Sequence, residues 1–246
     1  MNQLLLDLGP PPAPTFDNVV AGRNVVALAA LRRLCAGPVD DPSDRCLYLW
    51  GEPGSGRSHL LQAACTAAGG TYLDGPRASR ALRAIIDEAA ADPGPTRWLV
   101  ALDDVEAADA DTQETLFHAI NAMRQDPRAA IVVAGNAAPK DLVLAPGRDD
   151  LRSRLGWGLA FELHRLDDAE KDAALARRAD AMGFPLSPDV RRYLLTHFSR
   201  DLGSLMQTLD ALDRHAREQR RIVTVPMIRT WSQRDAVESG PLDHAA

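Results

Sequence analysis

Apolar positions fall into two regimes that change near Leu166. Before that point, five short runs have the length and composition of buried strands: Cys46 to Trp50, Thr71 to Leu73, Trp98 to Leu102, Ala130 to Ala134 and Leu159 to Leu163. Helically spaced segments at 57 to 68, 77 to 91 and 111 to 125 separate most of them. Val25, Leu28, Leu31 and Leu34 mark an earlier amphipathic helix over 24 to 35. This alternation predicts an α/β fold, a five-stranded mostly parallel sheet with helices on both faces. After Leu166 no strand candidate remains, and 167 to 182, 187 to 197, 201 to 219 and 225 to 234 predict helices punctuated by Pro185, Pro188 and Pro226. The stripe Leu202, Leu205, Met206, Leu209 and Leu212 reads as packing. A small all-helical domain should therefore follow the sheet.

The expected organisation is an exposed arm over 1 to 14, where a proline-rich run favours extended geometry, then a sheet domain over 15 to 165. A helical domain over 166 to 235 and a polar tail over 236 to 246 complete it. There is no internal repeat. A hydrophobic content of 46% and a charged content of 25% match an ordinary globular protein. The net charge of −6 argues against a surface built to track nucleic-acid backbones. Cys35, Cys46 and Cys65 are odd in number and lack CxxC spacing, so they read as buried thiols rather than a disulfide framework or zinc site. Leu4-Leu5-Leu6 is cut short by Asp7, and neither a leader nor a membrane span is expected, which makes the cytoplasm the expected location.

The chemistry concentrates in the first regime. The first predicted strand runs into Gly51-Glu52-Pro53-Gly54-Ser55-Gly56-Arg57-Ser58 and then a helix opening at His59, the Walker A pattern with Arg57 in place of lysine. Its glycines let backbone N–H groups approach phosphates, the helix presents its positive end, and the Ser58 hydroxyl is placed for Mg²⁺. The third strand ends in Asp103-Asp104, the Walker B arrangement, whose first acid reaches Mg²⁺ directly or through water. The fourth ends in Gly135-Asn136, where a polar side chain can sense the γ-phosphate or the attacking water. The six histidines are scattered and form no metal-binding spacing.

The stretch Asp150 to Gly158, containing Ser153-Arg154-Leu155-Gly156-Trp157-Gly158, resembles the arginine-finger motif of the DnaA family of AAA+ P-loop proteins, with Arg154 at the finger position. With GRSHLL, LDD and the opening TFDN, the resemblance covers roughly residues 3 to 235. No helix-turn-helix domain is expected after the helical segment, and Gln3-Leu4-Leu5-Leu6-Asp7-Leu8 resembles a sliding-clamp-binding motif, with Gln3, Leu4, Leu6 and Leu8 as contacts and Asp7 where a proline is common. Both features are similar to the short Hda branch of that family.

The resemblance implies an AAA+ domain with a helical lid, ADP or ATP with Mg²⁺ as ligand, and DnaA and the DNA polymerase sliding clamp as partners. DNA would be reached only through the clamp, and a homo-oligomer stays open. It further implies a negative regulator of replication initiation that stimulates DnaA to hydrolyse its ATP through Arg154 acting in trans. The expected nucleotide contacts are Gly51, Pro53, Gly54, Ser55, Gly56, Arg57, Ser58, His59, Asp103, Asp104, Asn136 and Arg200, with Ser58 and Asp103 toward the metal. The sensor arginine of the DnaA lid falls on Gly203, and Arg200 is its candidate replacement. The adenine is expected near Phe16 to Val20. Arg57 weakens the case for vigorous intrinsic hydrolysis, because a planar guanidinium does not replace a compact ammonium at a phosphate. The alternative is an independent AAA+ ATPase acting as a helicase loader or remodelling enzyme.

Overall fold

The computed structural model describes residues 13–91, 94, 97–184, 186–198, 201–219 and 222–238. Within them the chain divides into two compact units, Ala13–Arg165 and the residues from Leu166 onward.

In the first unit, β1 (Cys46–Trp50), β2 (Thr71–Asp74), β3 (Trp98–Asp103), β4 (Ala129–Gly135) and β5 (Leu159–Glu162) form one sheet in the order β2-β3-β4-β1-β5. Every pairing is parallel. Parallel strands need crossovers, which α2 (Arg57–Ala68), α3 (Ser79–Ala91) and α4 (Ala110–Gln125) help to supply, while α1 (Val25–Ala36) precedes β1. The central strands are buried on both faces, and β4 has no exposed residue, which is why they read as unbroken apolar runs.

Side-chain alternation sorts these strands into two cores. Tyr48, Val100, Leu102, Ile131 and Val133 pack with Leu82 of α3 and with Leu116, Ile120 and Met123 of α4. Leu47, Leu49, Leu99, Ala101, Ala130 and Val132 pack on the other face with Leu28, Leu31 and Leu34 of α1 and Leu60, Leu61 and Ala64 of α2. Cys46 and Cys65 are buried, while Cys35 is half-buried; all three are free thiols.

One element departs from the sequence reading. Asp149–Leu155 forms a helix, α5, where no helix was expected. Leu151 and Leu155, four apart, are its two fully buried anchors in the α4-side core.

In the second unit, α6 (Asp168–Ala181), α7 (Pro188–His197), α8 (Leu202–Gln219) and α9 (Val225–Glu238) surround a core of their own. Asp167 and Glu170 form a capping box at the start of α6, and Ser187 caps α7 with Pro188 in its first turn. Leu205, Leu209 and Leu212 are fully buried, so the leucine stripe packs as expected. α9 runs to Glu238, three residues past the expected end of the helical domain. No helix among the described residues is long and apolar enough to cross a membrane.

Candidate functional site

The carboxyl edge of a doubly wound sheet is where ligands dock, and here it collects three segments. β1 leads into Gly51–Ser58, β3 ends on Asp103, and β4 leads into Asn136, with Trp50 opposite Gly135 and Leu102 opposite Val133. Gly54 and Gly56 have φ of +82° and +94°, backbone that residues with a Cβ rarely adopt. The loop passes straight into α2, whose unsatisfied N–H groups and dipole favour an anion. Ser55 is buried and its hydroxyl has no hydrogen-bond partner, the kind of orphaned polar group that a phosphate oxygen would satisfy. Pro53, Gly54 and Ser58 are exposed at the mouth. These residues fit a nucleotide phosphate.

The Arg57 guanidinium is turned toward acids. Its Nη2 lies 3.2 Å from Asp104 Oδ1 and its Nη1 lies 3.8 Å from Glu106 Oε1, with only 12% of the side chain exposed. Glu106 was not singled out in the sequence, yet it is the more buried of the two partners. Burial pushes its carboxyl above the ordinary value, against the backbone N–H of Glu106 itself, Arg57 and the backbone N–H of Asn136. Burial, then the Asp103 charge, raises Asp104 in the same direction, with Arg57 opposing. Asp104 also has φ of +43°, the one positive value at a non-glycine among the described residues.

Asp103 is buried. Its Oδ2 accepts from the Tyr72 hydroxyl at 2.9 Å and its Oδ1 from the Asp104 N–H at 3.0 Å. Burial lifts the Tyr72 phenol to about 12, so it stays a donor. Both carboxylate oxygens retain acceptor capacity for a metal or its water. The Asn136 side chain is exposed beyond the end of β4. His59 Nε2 lies 2.8 Å from Asn18 Oδ1, and Arg32 stacks over Phe16 at 5.8 Å while donating to the Phe16 carbonyl at 3.0 Å. The 13–18 segment is thereby tied to α1 and α2 beside the loop. Arg165, also missed in the sequence, places Nη2 3.1 Å from where a Cβ on Gly54 would stand and Nη1 3.7 Å from Glu52.

Arg154 lies elsewhere, on the last turn of α5. Its guanidinium sits 5.9 Å over the Phe117 ring, and Arg124 sits 4.5 Å over Trp157. Both arginines line an open cleft of about 490 Å³ with Pro42, Asn121, Gln125 and Trp157. Among the described residues neither has a carboxylate within ion-pair distance, whereas Arg152 pairs with Asp149 at 3.1 Å. Two positions along a helix are about 200° apart, so the helical backbone turns Arg152 and Arg154 to different sides.

In the second unit, Gly203 lies in the first turn of α8, where Asp201 accepts from the Ser204 N–H at 2.8 Å. Arg200 lies outside the described residues, as do Gln3, Leu4, Leu6 and Leu8.

Residues 168–231 match the family model described as "Hda, lid domain". Over those residues the chain is similar to the lid of Hda. Solved structures share the fold of this chain. Domain III of the Thermotoga maritima replication initiation protein DnaA is 20% identical with a TM-score of 0.61, covering 89% of this chain and 95% of that one. AMPPCP-bound DnaA from Aquifex aeolicus is 21% identical with a TM-score of 0.59, covering 85% and 69%. The RuvB Holliday junction branch migration motor of Thermotoga maritima is 16% identical with a TM-score of 0.57, covering 85% and 66%. At these identities the likeness is one of fold, and the similarity to Hda is that of residues 168–231.

Proposed function

We propose that this chain is a DnaA-related negative regulator of chromosome replication initiation. It holds an adenine nucleotide, ADP in its working state, on Gly51, Pro53, Gly54, Ser55, Gly56, Arg57, Ser58 and His59. Asp103 and Ser58 are the protein oxygens offered to Mg²⁺, which takes most of its remaining ligands from phosphate and water. Asp104 and Asn136 face the terminal phosphates, and Arg200 stands in for the lid sensor. Gln3, Leu4, Leu6 and Leu8 dock on the DNA polymerase sliding clamp, which brings the chain to DNA. Arg154 reaches ATP held by DnaA and neutralises charge on its γ-phosphate during hydrolysis.

The observation that carries this reading is the Hda lid match behind a phosphate-loop domain whose candidate finger has no carboxylate partner among the described residues. The AMPPCP complex of Aquifex aeolicus DnaA supports an adenine nucleotide as ligand. The engagement of Arg57 by Asp104 and Glu106 favours a site that retains nucleotide over one that turns it over. The test is ATP hydrolysis by DnaA with this chain and DNA-loaded clamp added singly and together. Faster hydrolysis only with both is the expected result. Vigorous hydrolysis by this chain alone, with no effect on DnaA, would replace the proposal with an independent ATPase.

A further inference from the structure

The phosphate loop offers two kinds of charge recognition that serve different parts of a nucleotide. Backbone N–H groups of such a loop cradle the α- and β-phosphates, while the basic residue before the Ser/Thr reaches the β- and γ-phosphates. In this chain that residue, Arg57, already has partners: Asp104 at 3.2 Å and Glu106 at 3.8 Å. Asp104 belongs to the acid pair expected at the end of β3; Glu106 does not. A turn beyond β3 brings it back, with the Val105 N–H on the Ala134 carbonyl and the Ala107 N–H on the Asp104 carbonyl. Its side chain is 17% exposed, and Glu106 Oε2 and Arg57 Nη1 are both buried without a hydrogen bond. A buried carboxylate beside a buried guanidinium, each with unused capacity, holds the cation by charge while leaving donors on the fork.

We propose that Glu106 is a positioning residue that sets a diphosphate-over-triphosphate preference, by holding Arg57 on the acid side of the phosphate loop. This rests on the nucleotide-binding reading above. A diphosphate takes most of its recognition from the loop and the start of α2, which Glu106 leaves untouched. A triphosphate adds a γ-phosphate whose natural cation is Arg57, and it must draw that guanidinium from two carboxylates. The penalty falls more heavily on a triphosphate, which needs Arg57 at both its β- and γ-phosphates, than on a diphosphate, whose other contacts come from the loop backbone.

The experiment is titration calorimetry of the full chain with MgADP and MgATP, comparing wild type, Glu106→Gln, Arg57→Ala and the double variant. Glu106→Gln should raise ATP affinity relative to ADP by about tenfold, the size expected when the γ-phosphate no longer has to displace one partly screened carboxylate from Arg57. In the Arg57→Ala background the same substitution should leave that ratio unchanged, because Glu106 acts through the arginine. A purely structural Glu106 would lower both affinities together, and an unchanged ratio overturns the proposal. A shift of equal size in the Arg57→Ala background overturns the positioning role. Should Glu106→Gln fail to fold, Glu106→Asp withdraws the carboxylate by one methylene, and the ratio must move the same way. Failure of the wild-type chain to bind either nucleotide would overturn the nucleotide-binding reading instead.

Discussion

Replacing Arg154 by alanine separates the proposed action on a partner's nucleotide from folding. The guanidinium stands 5.9 Å over Phe117 on the last turn of α5 and has no carboxylate partner among the described residues. Its loss should cost only the cation–π contact, about 0.5–1 kcal/mol at a partly exposed site. For a chain of this size that lowers the melting temperature by roughly 1–4 °C. An arginine supplied in trans to a γ-phosphate, by contrast, typically accelerates hydrolysis by about 10³–10⁵-fold, or roughly 4–7 kcal/mol of transition-state stabilisation. The two effects differ enough to be read independently. The assay is the rate of ATP hydrolysis by DnaA in the presence of this chain and DNA-loaded clamp, alongside a thermal melt and ADP titration of the variant. Stimulation should vanish in Arg154→Ala while ADP affinity stays within about twofold of wild type. Arg152→Ala is the control, because Arg152 is engaged with Asp149 at 3.1 Å, and it should retain most of the stimulation. Full stimulation by Arg154→Ala, or a loss that merely tracks unfolding, refutes the reasoning.

Three further outcomes are expected. Arg45, 2% exposed, donates through Nη1 to the carbonyls of Met123, Asp126 and Ala129; Arg45→Met should destabilise the protein by about 2–4 kcal/mol in urea melts, and a loss under about 1 kcal/mol would show those carbonyls are otherwise satisfied. The Arg128 side chain, bonded to both Asp126 oxygens, holds that carboxyl below its ordinary value, so its contribution is full above the unfolded pKa of about 4 and lost as pH falls through the lower folded value. Asp126→Asn should accordingly lower stability at pH 7 and flatten its decline below about pH 4; an unchanged acid limb in pH-dependent melts would contradict this. Gln3→Ala with Leu6→Ala should weaken clamp binding at least tenfold, since one buried leucine contributes roughly 1.5–3 kcal/mol, and unaltered affinity in a titration would remove the clamp as a partner.

The parts of this fold legible in the sequence are those where one chain segment carries its own evidence. β4 is buried on both faces, so Ala130 to Ala134 could only be apolar throughout, and the glycines after β1 mark their turn because Gly54 and Gly56 require positive φ. α5 carried no such mark. Leu151 and Leu155 are a single i,i+4 pair among charged residues, too little for a periodicity, and the helix is fixed by burying both against the core beside α4. The engagement of Arg57 was illegible for a different reason. Its partner Glu106 is brought back by a turn stitched to Ala134 and held by Gln113, whose amide donates to the carbonyls of Val105 at 3.2 Å and Ala108 at 3.0 Å. Those contacts join β3, β4 and α4, and no local spacing encodes them.

On the proposed function, Arg57 and Arg154 would meet phosphate under opposite conditions. A guanidinium already facing carboxylates must surrender part of that interaction to serve a new anion, so its net gain is the difference between two favourable pairings. Arg57 is in that position, 12% exposed and flanked by Asp104 and Glu106, which suits a site that keeps a nucleotide without driving its hydrolysis. Arg154 surrenders no ion pair among the described residues, and its ring partner Phe117 restrains the side chain without neutralising it. An anion arriving from another molecule would find that cation already positioned and still carrying its full charge, with Arg124 stacked on Trp157 in the same cleft. Electrostatic stabilisation of a transition state depends on such preorganisation. The same residue type is thus committed to acids beside the chain's own phosphate loop and left available on α5, the distribution expected of a protein that acts on a partner's nucleotide more than on its own.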